Sequence, residues 1–280
     1  MKKYLLLSLL SAACIRGFSQ QPMSCCAATA TEAFSQLGSD DQFIRSHLAP
    51  LPFQYMSDNG HALSFKASDG SDAFGWEIKA KQPTSNYLFV IHEWWGLNDY
   101  IKKESEDLWK ALGNVNVIAL DLYDKKIATT REDAAKYMQS VTTDRAKAII
   151  AGAIAYAGTK AKIYTIGWCF GGGWSLQTAL LAGSQSAGCV MYYGMPEKDL
   201  ARLKNLHGDV LGLFANKDQW ISPKVVDEFA AEMKEAGKKL ILKRYDADHA
   251  FANPSNPAFD KAAREDAYNN VLAFFKGRIR

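Results

Sequence analysis

From Asn86 onward the chain alternates between short apolar runs and longer stretches of helical period, and this alternation limits the fold more than any other feature. NYLFVIH from Asn86, VNVIAL from Val115, KIYTIG from Lys162, Cys189 to Tyr193, Val210 to Ala215 and LILKRY from Leu240 are the strand-type runs. Runs apolar nearly throughout belong to strands covered on both faces. The stretches between them read as helices. Asn98 caps a period that places Ile101, Leu108 and Leu112 on one face and stops at Gly113. Residues 131–157 are helical in one or two pieces, Phe170 to Ala182 forms another helix, and 261–276 the last. Ser222-Pro223 opens a helix that turns Val226, Phe229, Ala230 and Met233 inward. Ahead of these, His61 to Lys66 and Ala73 to Lys79 alternate around the turn SDGSD and predict a hairpin. The expected class is α/β, a mainly parallel central sheet with helices on both faces. Chemistry in such folds gathers beyond the carboxyl ends of strands. That rule selects HEWWG, DLYDK, GWCFGG, NKDQW and DADHAFAN.

A chain of 280 residues, 48% hydrophobic, suffices for one α/β domain with a short preface. The preface has the pattern of an export leader. Lys2 and Lys3 precede the apolar run Tyr4 to Ala13, which is well short of the ~18 residues of a membrane span, and Ser11-Ala12-Ala13 offers small residues for cleavage. The expected organisation is a leader over 1–20, a linker or extension over 21–60 and the α/β domain over 61–280. Export to a periplasm-like space follows from the leader. Cys14 directly after Ala13 is similar to a lipobox and makes a lipid anchor the alternative, although Ser11 stands where leucine is usual. Cys25-Cys26 lacks a partner pair at zinc-site spacing and reads as a linker dithiol. The net charge of +3 is not gathered into a basic block, so no nucleic-acid partner is expected.

Gly167-Trp168-Cys169-Phe170-Gly171 ends one strand run and starts a helix. It is G-x-S-x-G with cysteine at the nucleophile position. The sharp turn exposes that side chain at the top of the sheet, and the flanking glycines are needed because a β-carbon would collide across the turn. The following helix aims backbone N–H groups at the same point, where they can lower a thiol pKa or hold an oxyanion. A buried structural cysteine fits the pentapeptide alone equally well. Its partners add weight. Hydrolases built on such a turn order their triad as nucleophile, acid, histidine. Asp218 follows one strand run and His249 the next, although Asp209, Asp246 and Asp248 also lie near in sequence.

Taken together, HEWWGLND, ALDLYD, GWCFGGGW, YYG, NKDQW and DADHAFAN, in that order, resemble the dienelactone hydrolase family of the α/β-hydrolases, over roughly Asn86 to Lys276. The resemblance implies the α/β-hydrolase fold, with Cys169 as nucleophile, Asp218 as acid and His249 as base. It puts Glu93 beside the resting thiol, where it controls ionisation, and makes the backbone N–H groups of Phe170 and Trp94 the oxyanion donors. Family members hold a substrate carboxylate with two arginines. Here those positions carry Lys125, or Lys126, and Asn253, so bidentate recognition of a carboxylate is lost at the second. Trp95, Tyr123, Lys125, Trp220, Phe251 and Asn253 are the expected pocket residues, largely aromatic. The implied reaction is hydrolysis of a small ester or lactone through an acyl-thioester, with no cofactor and no metal. Two other classes fit the residues: a catalytically silent binding protein of the same fold, and a thiol redox protein pairing Cys169 with Cys189 or with Cys25-Cys26. The absence of C-x-x-C counts against the second.

Overall fold

A computed structural model describes residues 29–279. The leader over 1–20, Cys14, Cys25 and Cys26 lie outside the described residues. Two short helices come first, α1 (Ala30–Ser35) and α2 (Asp41–Ser46), followed by the hairpin β1 (Gly60–Lys66) and β2 (Asp72–Ile78). Then come β3 (Asn86–Ile91), α3 (Asp99–Leu112), β4 (Asn116–Asp121), α4 (Arg131–Ser140) and α5 (Thr143–Ala157). The second half runs β5 (Lys162–Trp168), α6 (Phe170–Leu181), β6 (Ser186–Tyr192), α7 (Leu200–Leu203), β7 (Val210–Ala215), α8 (Pro223–Glu235), β8 (Leu240–Tyr245) and α9 (Lys261–Lys276).

The strands form one eight-stranded sheet in the order β1-β2-β4-β3-β5-β6-β7-β8. β1 and β2 pair antiparallel, β2 pairs antiparallel with β4, and every later pair is parallel. This is the mainly parallel, doubly covered sheet expected from the alternation, and the α/β-hydrolase fold that the family resemblance implies. β3 to β7 are buried almost end to end because helices cover both faces. Helix limits follow local chemistry. The Asn98 side chain accepts the Ile101 N–H at 3.2 Å, and Gly113 closes α3 with φ 85°. β6 begins three residues earlier than its apolar run, at Ser186, because small residues there pack under α9: a β-carbon on Gly188 would lie 3.0 Å from the Phe274 ring.

From Thr29 onward the segment expected as a linker or extension carries two short helices. Thr29 caps α1 in a box with Glu32, and Asp40 caps α2 through the N–H groups of Gln42 and Phe43 at 2.8 and 3.2 Å. Each helix is only 6 residues long and could not persist alone. Tertiary burial holds them. Phe34 and Phe43 belong to the main core, and Phe43 packs edge-on against Trp94 and Trp220 at centroid separations of 5.3 and 5.2 Å. Burying two phenylalanines contributes roughly 3–6 kcal/mol before chain entropy is counted. None of the helices among the described residues is long and apolar enough to cross a membrane.

Candidate active site

Cys169 sits between β5 and α6 with φ 56° and ψ −120°, a backbone state rare for any residue with a β-carbon. Its N–H donates to the Tyr192 carbonyl at 3.0 Å. The turn closes so tightly that a β-carbon on Gly167 would lie 2.1 Å from the Gly171 carbonyl oxygen, and one on Gly171 would lie 2.3 Å from that of Ile91. Both glycines are therefore obligatory.

Two other strand ends bring the partners. His249 follows β8 and Asp218 follows β7. The His249 Nε2 lies 3.5 Å from Cys169 Sγ, and Nδ1 lies 2.6 Å from Asp218 Oδ2. The other oxygen of Asp218 accepts the N–H groups of Trp220 and Ile221 at 2.9 and 2.8 Å. Burial would raise the Asp218 carboxyl, but the His249 ring and these hydrogen bonds outweigh it and hold the group below the usual carboxylate range. The carboxylate therefore stays ionised and fixes the imidazole with a proton on Nδ1 and a lone pair toward sulfur. Asp246 and Asp248, adjacent to His249 in sequence, are not the acids that hold it.

The thiol is buried, and burial pushes it well above its ordinary range. The Glu93 charge pushes the same way, while the backbone N–H groups of Phe170 and Trp94 face the sulfur and pull it down by less. Glu93, in the loop after β3, accepts from the Asn253 amide at 2.5 Å and the Tyr193 hydroxyl at 3.4 Å. Burial carries its carboxyl up to about 7, despite the nearby His249 ring and those two hydrogen bonds.

Beside Glu93 and Asn253 lies a cavity of about 300 Å³ whose wall carries Phe53, Trp95, Tyr100, Trp168, Tyr192 and Tyr268. Of the six expected pocket residues, Trp95 and Asn253 line it and the other four do not. Tyr123 is buried against His92 and Phe170 at centroid distances of 4.6 and 5.6 Å. Lys125 leaves the site altogether. Asp121 accepts the N–H groups of Tyr123 and Lys125 at 2.9 and 2.6 Å, which winds the loop so that the ammonium rests 3.7 Å above the Phe74 ring. Trp220 lies on the far side of His249, with its indole N–H on Asp40 at 3.2 Å. Phe251 is wholly buried between Tyr193 and Tyr245. Arg264 and Lys103 also reach the cavity, but each faces a carboxylate, Glu104 at 3.1 Å and Asp107.

The sequence reading did not name the wall residues Tyr100, Trp168, Tyr192 and Tyr268, and it also missed two contributors from the segment before β1. Phe53 forms part of the cavity wall, packed on Tyr100 with the rings tilted and their centroids 4.6 Å apart. His47, at the end of α2, is buried with its ring 5.4 Å from that of His249. The four-residue spacing of Phe43 and His47 after the capping residue Asp40 was the available signal.

The family model for dienelactone hydrolases matches residues 76–278. The chain belongs to the dienelactone hydrolase family. As a dienelactone hydrolase-like protein it is a hydrolase, and ester or lactone substrates fit the family. It is 29% identical over 202 residues to Protein usf of Aquifex pyrophilus, covering 68% of this chain and 87% of that one. It is 23% identical over 202 residues to carboxymethylenebutenolidase 1 of Cupriavidus pinatubonensis, covering 66% of this chain and 83% of the other. Among solved structures, it superposes with a TM-score of 0.65 on a chain titled as a dienelactone hydrolase from Klebsiella pneumoniae, at 20% identity, over 77% of this chain and 98% of that one. A dienelactone hydrolase-like promiscuous phosphotriesterase from metagenomic libraries superposes at 0.68 with 17% identity, over 79% of this chain and all of the other (100%). At such identities the likeness establishes the fold. The segment that holds Phe43, His47 and Phe53 precedes the region matched by the family model.

Proposed function

We propose that this dienelactone hydrolase-family protein uses Cys169 as a nucleophile to cleave a small, uncharged ester or lactone through an acyl-thioester. The observation that carries the reading is the chain of contacts Cys169, His249, Asp218, drawn from three separate strand ends with the cysteine on a strained strand-to-helix turn. A structural cysteine needs none of this. Cys189 gives no support to a redox pairing, since it lies on β6 with its sulfur 3.4 Å from the Ser175 hydroxyl.

In this reading the thiol rests protonated, held so by burial and by the Glu93 charge. His249 Nε2 then takes the thiol proton while Asp218 supports the imidazolium. The thiolate adds to the carbonyl, and the oxyanion faces the N–H groups of Phe170 and Trp94. The C–O bond breaks as His249 returns its proton to the leaving alkoxide. Water then gives a proton to His249 and attacks the thioester carbonyl. The C–S bond breaks, Cys169 recovers the proton and the acid leaves. Thiolate leaves more readily than alkoxide, so activated esters and lactones are favoured over amides. The aromatic wall and the paired charges of Arg264 and Lys103 favour an uncharged, ring-bearing substrate.

Initial rates on a panel of aryl esters and lactones, compared between wild type and Cys169→Ala, test the reading. Turnover that disappears in the variant is expected. Equal rates in both proteins would overturn it. Export of the chain, with or without a lipid on Cys14, belongs to the same proposal, and intact-mass measurement of protein from the native envelope tests it.

A further inference from the structure

The neighbourhood of the thiol holds a group that the proposed reaction leaves unused. The His47 ring is buried, packed between Phe43 and Trp94 at centroid distances of 4.2 and 4.8 Å. Its Nδ1 lies 2.7 Å from the Phe43 carbonyl oxygen, which can only accept, so Nδ1 carries the hydrogen. The Ser46 hydroxyl, 3.1 Å from the same nitrogen, spends its own proton on that carbonyl at 2.8 Å. Nε2 is left as a bare lone pair, buried and without a partner. Burial, reinforced by the neighbouring His249, keeps the ring neutral by lowering its pKa to about 3.

Ligand atoms of His47, His249 and Cys169 all lie within 4.8 Å of one another, and all three residues are buried. We propose that these three side chains form a binding site for a zinc-class divalent cation, two imidazole nitrogens and one thiolate with a fourth position open to water. The donor set is the kind zinc prefers. Zn–N and Zn–S bonds of about 2.0 and 2.3 Å place the two donors roughly 3.5 Å apart at a tetrahedral angle. The His249 Nε2 to Cys169 Sγ separation is already 3.5 Å. The remaining separations, within 4.8 Å, close to tetrahedral spacing with a His47 movement of up to about 1.5 Å.

The outer contacts fit as well. Zinc-bound histidines usually give their second N–H to a carboxylate or a backbone carbonyl. His249 has Asp218 for this role and His47 has the Phe43 carbonyl. Binding replaces the thiol hydrogen by the metal and releases one proton to solvent, with no change of oxidation state. An ion so placed occupies both the sulfur and the Nε2 that the proposed hydrolysis needs. The site therefore acts as a reversible inhibitory latch. That consequence rests on the nucleophile assignment above, whereas binding itself does not.

The test uses the full chain, purified metal-free and titrated with Co²⁺ as a spectroscopic probe, then with Zn²⁺ in competition. One equivalent is expected to bind, with a thiolate-to-cobalt charge-transfer band in the near ultraviolet and visible bands of a tetrahedral ion. Zn²⁺ should displace it and suppress ester turnover in parallel. His47→Gln should weaken Zn²⁺ binding at least about tenfold, and Cys169→Ser should abolish the charge-transfer band. Wild-type spectra alone decide the matter if His47→Gln fails to fold. An octahedral spectrum or the absence of a thiolate band would sink the proposal. Unchanged Zn²⁺ affinity in a folded His47→Gln would do the same. A thiolate band with undiminished turnover at saturating Zn²⁺ would keep the site but remove Cys169 as the nucleophile.

Discussion

The body matched by the family model and the segment in front of it build the same site by different means. In the body, Cys169 and Asp218 follow β5 and β7, each locked between two other strands, and His249 follows β8 at the sheet edge, so that the sheet's backbone places all three. Cys169 is the extreme case, held by a turn that admits only glycine on either side. The segment of residues 29–59 has no strand in the sheet and no helix longer than 6 residues. Its side chains reach the site because Phe34 and Phe43 are anchored in the core. Position in the body comes from hydrogen-bonded register, and position in the segment from apolar burial. The second kind can be undone without touching the first.

The contrast predicts graded outcomes. Cys169→Ala should cost at least about 10³-fold in ester turnover while the thermal midpoint stays close to wild type. A large loss of stability would mean that the thiol is structural. Asp218→Asn should lower kcat by roughly 10²–10⁴-fold, with little change in KM. In the segment, Phe43→Ala should lower unfolding free energy by about 3–5 kcal/mol, read by urea denaturation. A cost below about 1 kcal/mol would return the segment to the status of a tether.

Glu93 comes next. With its folded carboxyl up at about 7, it favours the folded state fully below its unfolded value and loses that contribution as pH rises through 7. Wild type should therefore lose stability relative to Glu93→Gln between pH 5 and pH 8, by up to roughly 3 kcal/mol. Thermal midpoints of the two proteins at both pH values check the sign. The smallest effect belongs to Asp40→Ala, which removes the α2 cap and the Trp220 indole contact. It should lower the urea midpoint slightly, by less than Phe43→Ala does.

Legibility in the sequence followed the same division. Strands covered on both faces leave apolar runs, and capped helices leave Asn98, Gly113 and Pro223, so the alternating sheet could be read almost residue by residue. The positions of Cys169, Asp218 and His249 were legible because chain order and strand ends constrain them. Lys125 and Trp220 were misplaced because a loop's side-chain direction depends on contacts invisible in sequence, namely the Asp121 turn and the Asp40 hydrogen bond. The helices α1 and α2 escaped notice because 6 residues hold less than two turns of period. Their register comes from partners such as Trp220, which follow much later in the chain.

That remoteness has a kinetic side. The contact between Asp40 and Trp220 joins residues 180 apart, and that between Gln42 and Gln219 joins residues 177 apart. During synthesis the segment emerges first, yet Trp94, Trp220 and His249, which receive it, are made later. Until they exist Phe43 has nowhere to dock, and the sulfur is sealed only when the two distant parts of the chain meet. Refolding from urea should therefore bring back sheet structure before it brings back resistance of the thiol to alkylation.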